Sequence, residues 1–103
     1  MSAQAGLSKL ARKDIEAIEA WYRDRSEMRA GEFLADLAEC FEALERFPES
    51  HPLVFRDARQ ARLRRFPYMI LYAIRRCRIR GVGCFHLHRD PQSWMARIGK
   101  ADP

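Results

Sequence analysis

Guanidinium groups dominate the chemistry this chain could perform. Lys plus Arg number 19, and only Lys9, Lys13 and Lys100 are lysines. A guanidinium presents a planar fork of donors that fits carboxylate or phosphate oxygens two at a time, so arginine-rich surfaces suit anionic partners. The charges are unevenly placed. Residues 1–50 hold 7 basic and 11 acidic groups, a net of −4, whereas residues 51–103 hold 12 and 3, a net of +9. In the basic half Arg62 and Arg64 flank Leu63, and His86, His88 and Arg89 close the last apolar run. Imidazoles there can move protons near neutral pH, and the arginines can hold an anion. Without a motif, a solvated basic face is the plainer account of the same residues.

Cys77, Cys84, His86 and His88 invite comparison with a zinc site. Their spacing matches no standard ligand pattern, and closely alternating strand residues point to opposite faces, so no metal and no other cofactor is expected. The three cysteines (Cys40, Cys77, Cys84) are odd in number and include no Cys-x-x-Cys pair. With no signal-like apolar segment near Met1, reduced thiols in a cytoplasmic protein are the expectation.

These residues need a scaffold, and 103 residues allow one domain. Hydrophobic residues at 48% and charged residues at 32% give a globular balance, and no apolar run approaches bilayer length. An integral membrane protein, a collagen-like chain and a long coiled coil are excluded. Leu7, Leu10, Ala11, Ile15, Ile18, Trp21 and Tyr22 recur at helical spacing behind Ser8, a plausible N-cap, and predict a helix over about 8–24. Phe33, Leu34, Leu37, Phe41, Leu44 and Phe47 form a second apolar stripe, ended by Pro48. The short link at residues 25–28 forces an antiparallel return, giving a helical hairpin over about 8–47. Gly31 sits in that second helix, either in a frayed first turn or at a close approach.

The period then changes. Residues 48–60 read as a loop with a short extended piece at 53–56. Residues 61–66 alternate, residues 69–74 are apolar on both faces and therefore central, and residues 79–87 follow a turn at 75–78. Short connections make this an antiparallel meander over about 61–87. Gly81 and Gly83 predict a bulge or a close backbone approach in its last strand. A short C-terminal turn is expected at 91–98. The fold class is α+β, with the hairpin packed on one face of a small antiparallel sheet. If Leu63 faces the helices, Arg62 and Arg64 point the other way and the reverse face is open and basic.

Arg64-Arg65-Phe66-Pro67-Tyr68-Met69-Ile70-Leu71-Tyr72 and His86-Leu87-His88-Arg89-Asp90-Pro91, with Trp94 and Arg97, resemble strand and C-terminal signatures of the RelE/ParE superfamily of bacterial toxins. Ala11, Asp14, Ile15, Ile18, Trp21, Tyr22, Phe33, Leu37, Leu44 and Pro48 agree with it, so the resemblance spans about residues 7–97. It implies a toxin of a type II toxin–antitoxin system, able to inhibit growth and support plasmid stabilization, with a β-α-α-β-β-β fold. The added first strand would use the weak alternation of Ala3, Ala5 and Leu7.

The resemblance offers two activities. ParE-like members inhibit DNA gyrase by direct contact and are neutralised by a cognate antitoxin. RelE-like members are ribosome-dependent mRNA endoribonucleases that use metal-independent attack by the ribose 2′-hydroxyl, a reaction that needs cations around a more negative transition state. The Trp21-Tyr22 pair and the Arg-Asp-Pro-x-x-Trp-x-x-Arg end are closer to the ParE side. A nuclease would use Arg62, Arg64, His86, His88 and Arg89. Contacts to target or antitoxin would fall on Arg62, Arg64, Tyr68, Tyr72, Arg89, Trp94 and Arg97, with the antitoxin tail covering the face that carries Arg62 and Arg64. Partners would be the antitoxin and gyrase, or the ribosome and mRNA, with no membrane and DNA met only through the antitoxin. A basic nucleic-acid-binding module without toxicity is the third reading.

Overall fold

Two serines lay out the helical half. Ser8 accepts the Ala11 amide proton at 3.0 Å and so begins helix α1 (Lys9–Arg25). Ser26 alone joins α1 to α2 (Glu27–Arg46): its N–H caps α1 on the Tyr22 carbonyl, and its hydroxyl accepts the Arg29 amide proton. The link expected over four residues is thus one residue with both capping roles.

The computed structural model describes residues 5–100, and Ala3 lies outside them. The remaining elements are β1 (Ala5–Leu7), β2 (Leu53–Phe55), β3 (Ala58–Arg62), β4 (Tyr68–Arg75), β5 (Arg78–His86) and α3 (Pro91–Lys100). They form one sheet in the order β1-β5-β4-β3-β2, antiparallel except for the parallel β1–β5 pair. The α+β class and the helical hairpin on a sheet face are as the sequence implied. The last strand also carries the expected bulge: its register with β4 shifts between Leu71 and Tyr72, leaving Val82 as the extra residue between Gly81 and Gly83.

Three features differ from the sequence expectation. First, residues 53–62 form a hairpin, and β3 ends at Arg62, before Phe66. The cause is Asp36 on α2, fully buried, whose carboxylate accepts the amide protons of Arg64, Arg65 and Phe66 at 3.2, 2.8 and 2.9 Å. Those amides cannot then join a strand ladder. Secondly, Leu10, Trp21, Leu34 and Phe47, read as core from their spacing, are exposed.

Thirdly, the reverse face of the sheet is not open. Ile70, Tyr72, Ile79 and Cys84 pack beneath the helical hairpin, while Met69, Leu71, Val82 and Phe85 face the other way. There α3 lays Trp94 and Ile98 over them. Arg62, paired with Met69, does lie on this reverse face and is exposed, but Arg64 stands in the bend beyond the strand. The basic platform predicted there is therefore confined to what α3 leaves uncovered.

Gly31 lies in the second turn of α2, exposed, and a Cβ added there would meet nothing within 4 Å. No close approach requires it. Gly31→Ala is expected to stabilise the fold by about 1 kcal/mol and raise the thermal midpoint by about 4–8 °C, read by calorimetry or circular dichroism.

Candidate functional site

The free edge of β5 shows how the site is positioned. β1 pairs with β5 only along Ile79–Gly81, which leaves the next backbone groups without a strand neighbour. The start of α1 replaces it. Ser8 donates its N–H to the Gly81 carbonyl at 3.0 Å and aims its hydroxyl at Val82 O, while the Asp14 carboxylate accepts the Cys84 amide proton at 3.0 Å. Arg97 reaches across from α3 to the same carboxylate, at 2.8 and 3.2 Å, and both side chains are 18% exposed. A fork on two carboxylate oxygens fixes angle as well as distance. Gly83 makes room for it: a Cβ there would lie 3.1 Å from Asp14 Oδ2 and 3.0 Å from Arg97 Nη1.

Beside this ion pair opens a cleft of about 280 Å³, lined by Asp14, Ala17, Ile18, Tyr68, Cys84, Phe85, His86 and Arg89. Helical repeat places Leu10, Asp14, Ala17 and Trp21 on one face of α1, so exposed Leu10 and Trp21 bracket the cleft wall. The Arg25 guanidinium sits 3.8 Å over the Trp21 ring and its Nη1 donates to the Trp21 carbonyl, holding the indole outward. Across the cleft, rings step from Tyr68 to His86 at 5.2 Å and on to His88 at 5.4 Å. The His88 amide donates to His86 Nδ1 at 3.1 Å, so neutral His86 keeps its proton on Nε2. Burial, with Tyr22 close by, pushes the Tyr68 hydroxyl up to about 12, so it remains a donor at neutral pH.

The residues singled out from sequence are dispersed by this geometry. Arg62 pairs with Met69 on the α3 side, whereas His86 pairs with Tyr68 on the helical-hairpin side. Arg62 and His86 thus lie at one end of the sheet on opposite faces, while Arg64, His88 and Arg89 stand in the connections beyond the strands. Arg89 is exposed and leans over the Phe85 ring at 5.5 Å. Tyr72 is no contact residue: it is fully buried, and its hydroxyl donates to the Pro48 carbonyl at 2.7 Å. Trp94 packs on the α3-side core, and Arg97 is committed to Asp14. Sequence reasoning missed Asp14 and Asp36 as anchors, and Leu10 and Trp21 as surface.

Cys77 stands at the β4–β5 turn, and β5 spans the roughly 30 Å between it and His86. Among the described residues, no group of three His, Cys, Asp or Glu side chains gathers to hold a metal. No described helix is long and apolar enough to cross a membrane. Burial, then the charge of Asp14, lifts the Cys84 thiol to about 12, and burial with Asp36 lifts Cys40 to about 11.

A family model described as "ParE toxin of type II toxin-antitoxin system, parDE" matches residues 6–90. Among solved structures, a chain of the "Chromosomal ParDE TA system from P. aeruginosa" is similar, with a TM-score of 0.73 and 17% identity. That alignment covers 82% of this chain and 96% of the other, and at such identity it speaks for the fold. No curated protein matches the chain.

Two measurements check the site. Asp14→Ala is expected to lower stability by about 2–3 kcal/mol, with a coupling to Arg97→Ala of about 1 kcal/mol or more in a double-mutant cycle. In thiol labelling at pH 8, exposed Cys77 reacts at once, half-buried Cys40 reacts more slowly, and buried Cys84 waits for unfolding. Their raised values favour the neutral thiol in the folded state. The stability they contribute is thus present below pH 9, the ordinary value, and is lost as pH rises through about 11 and 12.

Proposed function

Because the chain belongs to the family of ParE toxins of type II toxin–antitoxin systems, we propose that it inhibits DNA gyrase by direct protein contact and is neutralised by a cognate antitoxin. The observation that carries this reading is the family match over residues 6–90, extended by the Arg89-Asp90-Pro91 and Trp94 end that resembles the ParE branch. The cleft supplies the means. A partner segment placing apolar side chains between Leu10 and Trp21 would gain buried area, and a partner carboxylate would meet Arg89 at the rim. Tyr68 and His86 Nε2 add donors for backbone carbonyls. The antitoxin and the target are proposed to compete for this surface, so neutralisation needs no change of fold. Cytoplasmic action follows from both partners.

The ribonuclease alternative would need a base, an acid and anion-holding cations around one phosphate. The division of Arg62 and His86 between opposite sheet faces favours the contact reading over it.

Expression of the chain alone is expected to induce a DNA-damage reporter and to inhibit supercoiling by purified gyrase. Rapid translation arrest with cleaved messages and no gyrase-linked breaks would instead identify the nuclease. Leu10→Ala with Trp21→Ala is expected to weaken antitoxin binding by about 2 kcal/mol or more, roughly thirtyfold, in calorimetric titration. Both side chains being exposed, the thermal midpoint should move little.

A further inference from the structure

The β4–β5 hairpin turns through Arg76 and Cys77, both in the left-handed region at φ 53° and 64°. Two positive φ values suit the twist of a two-residue hairpin, and Asn and Gly normally supply them. Other L-residues there cost roughly 1–2 kcal/mol each. Neither side chain recovers this by burial, since both are exposed. A strained turn that displays an arginine is a reason to look at what surrounds it.

Its surroundings are cationic. Arg75 and Arg78 lie directly opposite one another in register, an arrangement that like charges disfavour. Arg80 follows Arg78 on the same, α3-side face, opposite Ala73. Arg56, also left-handed at φ 53°, heads the adjacent β2–β3 turn. Five arginines therefore meet at one end of the sheet, where Asp57 accepts from Arg75 Nε at 3.2 Å. Arg76 and Arg78 have no ion pair among the described residues, and Arg80 Nε is buried without a hydrogen-bond partner.

We propose that this end of the sheet, centred on Arg76, Arg78 and Arg80, docks on the phosphate backbone of duplex DNA without reading sequence. Phosphates require only cations and released counterions, whereas an acidic amphipathic peptide also requires apolar anchors. Those anchors are elsewhere: none of the exposed large apolar side chains belongs to β4, β5 or their turn. The docking contact is separate from the cleft, none of whose lining residues lies in the β4–β5 turn, and it departs from the expectation that DNA is met only through the antitoxin.

The test measures anisotropy of a labelled, short mixed-sequence duplex with the full chain over a range of salt. Arg76→Gly with Arg78→Thr removes two charges while relieving the turn and suiting the strand. Its plot of log affinity against log salt is expected to be shallower by about 2, with affinity at low salt reduced about tenfold or more. Arg12→Gln with Lys13→Gln removes the same charge from exposed positions on α1 and should leave the slope in place. An unchanged slope in the hairpin variant, an equal loss in the α1 variant, or displacement of DNA by polyglutamate at lower charge concentration than by competitor duplex would each overturn the proposal. Far-ultraviolet circular dichroism confirms that both variants are folded, and duplex binding is read without gyrase present.

Discussion

The Asp14 carboxylate holds the two sides of this molecule together. It lies on a helix that covers one face of the sheet, accepts a backbone amide proton from the sheet's uncovered edge, and receives the guanidinium of a helix on the other face. The Cys84 amide and Arg97 together supply donors to both oxygens, so the half-buried charge is matched in a setting where an unmatched one would be costly. Gly83 leaves room for that meeting, and Asp14 also lines the cleft that opens beside it.

Asp36 does comparable work at the neighbouring corner. By collecting three consecutive amides it ends β3 and turns the chain so that Phe66 enters the ring cluster with Tyr22 and Phe33. Tyr68 then begins β4 beside His86. One buried carboxylate thus decides which residue of a basic strand is last, and so which arginines remain part of the sheet.

The periodic parts of the fold were legible in the sequence for a physical reason. Stripes such as Ile15–Ile18–Tyr22 and Phe33–Leu37–Leu44 repeat because a helix buries one side, and residues 69–74 were apolar throughout because β4 is covered on both. That last observation already required a cover on the reverse face, which conflicts with an open basic platform. The signal for the cover was Trp94 and Ile98 at helical spacing after Pro91. What the pattern could not supply was any interaction that joins distant residues through one polar atom. Asp14 and Cys84 are 70 positions apart, and Asp36 and Phe66 are 30 apart. Nor does helical spacing separate Ile18, which is packed, from Trp21, which is held outward by Arg25.

The charge halves read from the sequence acquire direction in the fold. α2 carries Glu32, Glu39 and Glu42 on its exposed surface and lies with α1 on one face of the sheet. Arg78 and Arg80 share the opposite face with Ala73, so these two arginines and the α2 glutamates lie on opposite sides of the sheet. Such a separation orients a molecule approaching a polyanion within a Debye length, about 8–10 Å at physiological salt. It turns the hairpin end toward phosphate and the acidic helix away. The Leu10–Trp21 face of α1 belongs to neither pole. Under the two proposals made above, apolar anchors there would set the affinity for a protein partner, while the cationic end would govern the approach to nucleic acid. Two surfaces built from different residue types could then engage two chemically different partners at once.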